Sequence, residues 1–309
     1  MRGRDLISIA DLSPSELDHV LQTAMGLKDA GRQPLLAGKT LALVFEKPSL
    51  RTRVSFHVAM RHLGGDCIYL SPPEVGLGER ETPADVARVL SRYVDCIAAR
   101  TFAPETVVEL ARHAEVPVIN ALSDPPLGEH PCQTLADLLT VREQKGSLRG
   151  VTIAYVGDGN NVANSLCLGA ALSGMHFRIA SPPGYALDSA LVRRAEELAA
   201  EAGGSVRLCT EPEEAVRDAD VVYTDVWASM GQEREAALRK EDFAGFTVDA
   251  RLMARANPGA IFMHDLPAHR GEEVTAEVID GPQSVVFDQA ENRMHAQKAL
   301  LALILGEED

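Results

Sequence analysis

The sequence has 309 residues, enough for two domains of ordinary size, and its 46% hydrophobic and 24% charged residues are typical of a globular rather than a disordered chain. A net charge of −15 argues against nucleic acid as a partner, because a phosphate backbone requires a contiguous basic surface. No terminal segment has the length of a membrane span or the pattern of a secretory signal, so we expect a cytoplasmic protein without a membrane partner.

Strand and helix patterns alternate along the N-terminal half. Ser13, Pro14 and Glu16 form a capping box that predicts the first helix. Apolar runs then predict short strands, and periodic segments between them predict helices, with one loop that is rich in Pro, Gly and Glu. The strands are expected at residues 41–45, 67–70, 96–99 and 116–121, the later helices at 82–93, 104–114 and 131–141, and the loop at 71–81.

The same rhythm restarts after a polar joint at residues 145–150. Strands are expected at residues 151–157, 176–181, 205–210, 220–225 and 260–265. This alternation predicts an α/β protein with two doubly wound domains and mainly parallel sheets. We expect a first domain at residues 1–146, completed by a C-terminal helix at 291–309 that packs back on it, and a second domain at 147–290.

The segment from Ser49 to Arg53 is the strongest candidate for an anion site. It follows the predicted strand at residues 41–45 and opens a helix, so the helix start offers backbone N–H groups and a positive dipole end. Two hydroxyls and the two guanidiniums of Arg51 and Arg53 stand within five residues. This pattern predicts a phosphate site. A local basic pocket would attract the phosphate there despite the negative net charge of the chain.

Further polar groups follow other predicted strands of this half. Arg100 ends the strand at residues 96–99, and His130 to Gln133 follow the strand at 116–121. Ligands of parallel α/β sheets bind beyond the carboxyl ends of the strands, so these groups are expected near the phosphate site.

Three polar clusters follow strands in the second half. Gly157-Asp158-Gly159 resembles a dinucleotide fingerprint but has Val162 at the third glycine position, and Asn160 and Asn161 suit a substrate carboxylate. The segment 225–231 combines an aspartate with the only Trp, and 264–271 holds two His, an Asp and an Arg. His264, Asp265 and His269 lack further ligands at a familiar metal spacing, so no metal is predicted.

Four motifs together resemble the carbamoyltransferases, in their order and spacing and over essentially the whole chain. The third of them singles out the ornithine branch of that family. The motifs are Ser49-Leu50-Arg51-Thr52-Arg53, His130-Pro131-Cys132-Gln133, Asp225-x-Trp227-x-Ser229-Met230-Gly231 and His264-x-Leu266-Pro267.

The resemblance implies transfer of the carbamoyl group from carbamoyl phosphate to the side-chain amine of L-ornithine, giving L-citrulline and phosphate. It implies catalytic roles for Arg100, His130, Asp265 and Thr52, and it assigns two sets of binding residues. Those for carbamoyl phosphate would be Ser49, Leu50, Arg51, Thr52, Arg100, His130, Gln133, Leu266 and Arg293, and those for ornithine would be Asn161, Asp225, Ser229 and Met230.

The resemblance also implies a homotrimer, no cofactor, and a cis peptide bond between Leu266 and Pro267. The loop at 71–81 stands where a neighbouring subunit's loop would reach the phosphate, and Arg80 could serve there. Two positions depart from the family pattern: Leu50 replaces a Thr, and Asp265 replaces a common Cys. A carboxylate at 265 could attract the substrate ammonium or accept its proton, which would shift the pH optimum.

Three other functions stay open. The chain could carbamoylate another amine, it could bind a nicotinamide cofactor through Gly157-Asp158-Gly159, or it could be an impaired paralogue that binds carbamoyl phosphate without turnover because of Asp265. A P-loop kinase is excluded, since Gly38-Lys39-Thr40 lacks the earlier glycine and has Gln33 at that position.

Overall fold

The computed structural model describes residues 1–77, 80–124, 127–228 and 233–306, apart from the side chain of Glu233. In this structure the chain divides into two units. Unit 1 comprises Met1–Leu139 and Glu291–Asp309, and unit 2 comprises Thr140–Ala290.

Unit 1 is built on a four-stranded sheet. Its strands are β1 (Thr40–Phe45), β2 (Asp66–Leu70), β3 (Cys96–Arg100) and β4 (Val118–Leu122). They lie in the order β2-β1-β3-β4, and every neighbouring pair is parallel. The chain passes from β1 to β2 on one side and then returns to β3 on the other, so the connections diverge at the carboxyl ends of β1 and β3. Such a divergence leaves a crevice in which ligands of α/β sheets bind.

Helices precede, connect and follow these strands. They are α1 (Pro14–Ala30), α2 (Leu50–His62), α3 (Pro72–Val75), α4 (Pro83–Leu90), α5 (Pro104–His113) and α6 (Pro131–Lys145), with a short 3-10 helix at Ile9–Asp11. The capping box predicted for α1 is confirmed. The predicted loop at 71–81 is wrong in one part, because Ser71 and Glu74 cap the single turn of α3.

Unit 2 is built on a five-stranded parallel sheet. Its strands are β5 (Thr152–Val156), β6 (His176–Ala180), β7 (Ser205–Cys209), β8 (Val221–Tyr223) and β9 (Ile261–Met263), in the order β7-β6-β5-β8-β9. The direction of the connections reverses between β5 and β8, so the crevice of this sheet lies at their carboxyl ends.

The helices of unit 2 are short, apart from two. They are α7 (Asn161–Leu172), α8 (Ser189–Ala202), α9 (Pro212–Val216), α10 (Ala236–Asp242), α11 (Ala250–Met253) and α12 (Ala276–Ile279), with a 3-10 helix at Glu233–Glu235. Every residue of α7 is buried, as expected for a helix that starts at the crevice and covers one face of the sheet.

The last helix, α13 (Val286–Leu305), packs against unit 1. The Lys298 ammonium donates to the carbonyls of Leu27 (2.6 Å) and Gly31 (2.9 Å) at the end of α1, and the Gly3 N–H donates to the Ile304 carbonyl (3.0 Å). Two parallel α/β sheets and this returning helix confirm the predicted fold class. Among the described residues, no helix combines the length and apolarity that crossing a membrane requires.

Candidate active site

The anion motif of unit 1 lies where β1 ends and α2 begins. Ser49 is the N-cap of α2, and its hydroxyl accepts from the Thr52 N–H at 3.3 Å. Leu50 is the first helical residue, and its side chain is 76% exposed, so this residue offers the site its backbone N–H rather than its side chain. The strand-to-helix junction predicted from the sequence is therefore present.

The two arginines of the motif take different directions, which the sequence interpretation did not anticipate. Residues two positions apart on a helix are rotated by about 200°, so Arg51 and Arg53 cannot face the same pocket. The Arg53 guanidinium stacks over the ring of Tyr69 on β2, 3.8 Å from its centroid. The prediction that both arginines form one basic pocket is thus wrong for Arg53.

Arg293 of α13 joins the start of α2 to the residue before α6. Its Nη2 donates to the Thr52 hydroxyl at 2.8 Å and lies 3.3 Å from Nε2 of His130. All three side chains are buried. Because a guanidinium can only donate, Nε2 of His130 accepts this bond and its proton is on Nδ1.

His130 is surrounded by cations. Burial, and then the positive charges of Arg293, Arg100, Lys47 and Arg51, hold the pKa of His130 well below its ordinary value. The imidazole is therefore neutral at physiological pH. These cations come from α13, the end of β3, the end of β1 and the start of α2, so the predicted convergence of polar strand ends is present in unit 1.

Lys47 is a member of this group that sequence reasoning missed. Its side chain is only 5% exposed, forms an ion pair with Asp124, and lies over the ring of Phe102 at 5.4 Å. Burial lowers the pKa of Lys47, and Asp124 opposes that shift. Its position directly before the Pro48-Ser49 turn was the available signal, since a lysine there follows a strand end in the same way as the arginines.

Gln133, in the first turn of α6, supplies an acceptor. Its Nε2 donates to Asp137 at 2.7 Å, which fixes the amide orientation. Its Oε1 is buried and accepts no hydrogen bond from the residues that the structure describes. A buried acceptor without a donor is costly, so a ligand N–H at this atom would be favourable.

In unit 2, Asn160 is the N-cap of α7, and its side-chain amide bonds to the protein at both ends. Its Oδ1 accepts from the N–H groups of Val162 (3.0 Å) and Ala163 (3.1 Å), and its Nδ2 donates to Asp225 at 2.7 Å. One N–H of the Asn160 amide is thus committed to Asp225, and the role of Asn160 as a carboxylate ligand stays a prediction. Asn161, the first residue of α7, lies at the helix start as predicted.

Asp225 is buried and lies near Asp265, which is partly buried, with an oxygen of each within 4.8 Å of the other. The oxygens of Asp225 accept from Asn160 and from the Val226 N–H, each at 2.7 Å. Burial, and then the negative charge of Asp265, raise the pKa of Asp225 well above its ordinary value. Two neighbouring carboxyl groups suit a cationic ligand.

His264 supports the turn that carries Asp265. Its Nδ1 accepts from the Leu266 N–H at 2.9 Å, so its proton is on Nε2, which faces Glu273 at 3.2 Å. The Leu266-Pro267 bond is cis, which confirms that prediction, and Leu266 has a left-handed φ of 61°.

Two predicted ornithine residues, Ser229 and Met230, lie outside the described residues, as do Gly78 and Glu79 of the loop at 71–81. Within the described ranges, two groups of side chains have ligand atoms within 4.8 Å of one another: Asp225, His264 and Asp265, and His269, Glu272 and Glu273. The metal trio considered from the sequence is thus divided between two groups, and the absence of a metal stays a prediction.

Two family models match nearly the whole chain. One, described as the carbamoyl-P binding domain of aspartate/ornithine carbamoyltransferase, matches residues 4–143. The other, described as the Asp/Orn binding domain of the same family, matches residues 149–304.

Individual relatives carry the same family name. The ornithine carbamoyltransferase of Symbiobacterium thermophilum is 57% identical over 310 residues, covering 99% of each chain, and that of Pyrococcus abyssi is 54% identical, covering 99% of this chain and 97% of its own. The structure of the Pyrococcus furiosus ornithine carbamoyltransferase superposes with a TM-score of 0.95 at 53% identity, over 100% of this chain and 99% of that one.

Proposed function

The chain belongs to the aspartate/ornithine carbamoyltransferase family, and from this premise we propose that it transfers the carbamoyl group of carbamoyl phosphate to the side-chain amine of L-ornithine. The products are L-citrulline and phosphate. The chain is an enzyme, a carbamoyl-group transferase.

The observation that carries this proposal is the group of cations around neutral His130 in unit 1. Lys47, Arg51, Arg100 and Arg293 act on that imidazole, and the start of α2 adds backbone N–H groups and a positive dipole end. Lys47 is also paired with Asp124. A cluster of cations at a helix start is favourable beside a phosphate dianion. Ser49, Leu50, Arg51, Thr52 and Arg293 bind the phosphate.

Other residues of the same group activate the carbamoyl carbon. As the amine attacks, the carbamoyl oxygen gains negative charge, and preorganised donors stabilise it. Arg100 and the neutral His130 bind this oxygen, and Thr52, whose oxygen accepts from Arg293, donates its own hydroxyl proton. The carbamoyl NH2 donates to the buried Oε1 of Gln133, which satisfies that acceptor.

Ornithine binds to the polar groups of unit 2. Asp225 takes the α-ammonium, because a nearby cation favours the ionised form of this buried carboxyl group. Asn161 at the start of α7 takes the α-carboxylate, together with Ser229 and Met230. The amine that attacks must be neutral, and Asp265 accepts its proton. Phosphate, as it departs, is the final acceptor, and no covalent enzyme intermediate is required.

Several parts of the proposal remain predictions. They are the homotrimer, the cross-subunit role of the loop at 71–81, a Leu266 carbonyl that accepts from the carbamoyl NH2, the lack of a cofactor, and the cytoplasmic location. The Pyrococcus furiosus relative, 54% identical, is named anabolic, and we propose that this chain likewise serves arginine biosynthesis.

Citrulline formation from carbamoyl phosphate and ornithine tests the proposal, with putrescine and N-acetylornithine as competing acceptors. Turnover with ornithine, and no product from the competitors, is the expected result. Preferred turnover of a competitor would assign another amine. Binding of carbamoyl phosphate without turnover of any acceptor would indicate an impaired paralogue, and would contradict a catalytic Asp265.

A further inference from the structure

The Gly157-Asp158-Gly159 turn, which resembles an incomplete dinucleotide fingerprint, contacts protein rather than leaving room for a ligand. The Gly159 N–H donates to the Tyr185 carbonyl at 2.8 Å. A Cβ at residue 159 would lie 2.6 Å from the Leu187 N, so the close approach requires glycine. The turn is thereby fixed against the segment after β6, and it directs the Asp158 carboxylate toward α10.

Arg239 of α10 receives that carboxylate and joins three segments of unit 2. Its Nη1 donates to Asp158 at 2.6 Å and to the Trp227 carbonyl at 2.8 Å, and its Nε donates to Glu235 at 3.2 Å. The side chain is only 7% exposed. This buried guanidinium bonds to two segments and to its own helix. It therefore holds those segments in fixed positions relative to one another.

Aromatic side chains enclose this ion pair. Tyr185 lies under the Arg239 guanidinium, with 5.0 Å between the guanidinium carbon and the ring centroid, and its hydroxyl donates to Asp242 of α10 at 2.7 Å. Phe243 packs against both Tyr185 (4.7 Å between centroids) and Trp227 (5.6 Å). Low solvent access strengthens the pair and makes the loss of either partner costly.

We propose that Arg239, through its pair with Asp158, is a positioning residue for ornithine. This inference rests on the proposed function. The ornithine residues that the structure describes come from two segments: Asn161 lies three positions after Asp158, and Asp225 lies two positions after the end of β8. Arg239 of α10 joins the first segment to the second through Asp158 and the Trp227 carbonyl.

A residue that positions these segments affects one substrate selectively. Asn160 donates to Asp225, so a shift of the Asp158 turn also moves the carboxylate proposed to hold the α-ammonium. Arg239, Asp158 and Asp225 all belong to unit 2, whereas the residues proposed to bind the phosphate belong to unit 1. Loss of Arg239 should therefore raise KM for ornithine and leave KM for carbamoyl phosphate unchanged.

The test is steady-state kinetics with both substrates in full-length Arg239→Met, Arg239→Lys, Asp158→Asn and the Arg239→Met/Asp158→Asn double variant. We expect Arg239→Met to raise KM for ornithine about tenfold or more, because it leaves a buried carboxylate unpaired. Arg239→Lys keeps the charge and should recover part of this loss. The double variant should be no worse than Arg239→Met, since the pair acts as a unit.

Arg207→Met is the matched control, because it removes an exposed ion pair with Glu214 in the same unit, and its KM values should stay within about twofold of the native enzyme. Folded Arg239→Met or Arg239→Lys protein with an unchanged KM for ornithine would overturn the inference, as would equal rises in both KM values. If Arg239→Met does not fold, Arg239→Lys and Asp158→Asn decide the question. In each of them the rise in KM for ornithine is compared with the rise in KM for carbamoyl phosphate. Absence of citrulline from the native enzyme would instead contradict the proposed function itself.

Discussion

The sites of the two units are built on the same plan with opposite charge. Each lies at the carboxyl ends of parallel strands where the connections diverge, and each includes the start of a helix, α2 in unit 1 and α7 in unit 2. In unit 1 the buried charges are cations around a neutral histidine. In unit 2 they are the carboxyl groups of Asp225 and Asp265, beside a histidine whose Nδ1 accepts a hydrogen bond.

Local charge, rather than total charge, therefore distinguishes the two sites. The chain carries a net charge of −15, yet burial and then the cations of the unit 1 site hold the pKa of His130 below its ordinary value. A dianion suits the first site and an ammonium the second. Substitutions in one unit should therefore change the kinetics of one substrate.

The largest expected effect is that of Arg100→Met in unit 1. Removal of a preorganised donor to the carbamoyl oxygen should lower kcat about 100- to 1000-fold, since its stabilisation is greatest in the transition state. Citrulline formation at saturating substrates measures this change. An unchanged kcat in folded protein would show that Arg100 does not contact the reacting group.

The two arginines of α2 provide an internal comparison. Arg51→Met should raise KM for carbamoyl phosphate about 10- to 100-fold, as expected for a lost hydrogen bond to a charged group. Arg53→Met removes only the stacking on Tyr69, and its KM should change by less than about threefold. Equal effects of the two substitutions would restore the sequence interpretation in which both bind the phosphate.

The corresponding change in unit 2 is Asp225→Asn. It keeps the shape of the side chain and removes its charge, so kcat/KM for ornithine should fall about 10- to 100-fold. Asp280→Asn is the control, because Asp280 is an exposed carboxylate paired with Arg270. A fall of similar size in Asp280→Asn would mean that the loss reflects general electrostatics rather than contact with the ammonium.

The smallest change is the shift in pH dependence that Asp265→Asn causes, measured apart from the fall in kcat that loss of a proton acceptor causes. Asp225 attracts an ammonium only when ionised, so the acid limb of kcat/KM for ornithine reports the titration of Asp225. Burial, and then the negative charge of Asp265, raise the pKa of Asp225, so removal of that charge lowers the pKa. The acid limb should therefore move to lower pH, by about one pH unit. A limb that stays in place or moves to higher pH would show that Asp265 does not act on Asp225.

Much of the fold follows from the sequence, because alternating strand and helix patterns leave few arrangements other than parallel sheets. The errors were local. Ser71 and Glu74 form a capping box for a helix of a single turn, too short to give a periodic signal. The predicted domain bounds, with a joint at residues 145–150, stay a prediction, and the two compact units divide within α6 at Leu139.

The site was predictable where residues follow strand ends and less so where a side chain has two possible partners. Spacing alone cannot tell that Arg53 meets Tyr69 of a neighbouring strand, or that Asn160 caps α7 and also donates to Asp225. The pairing of Asp158 with Arg239, 81 residues apart, was likewise beyond pattern reasoning, because it depends on the packing of α10.

The central claim is that unit 1 binds carbamoyl phosphate through its cations and unit 2 binds ornithine through its carboxylates. Both KM values should be measured in Arg51→Met and Asp225→Asn under identical conditions. We predict that Arg51→Met raises only the KM for carbamoyl phosphate and that Asp225→Asn raises only the KM for ornithine. A change of the opposite substrate's KM by an equal factor in either variant would contradict the claim.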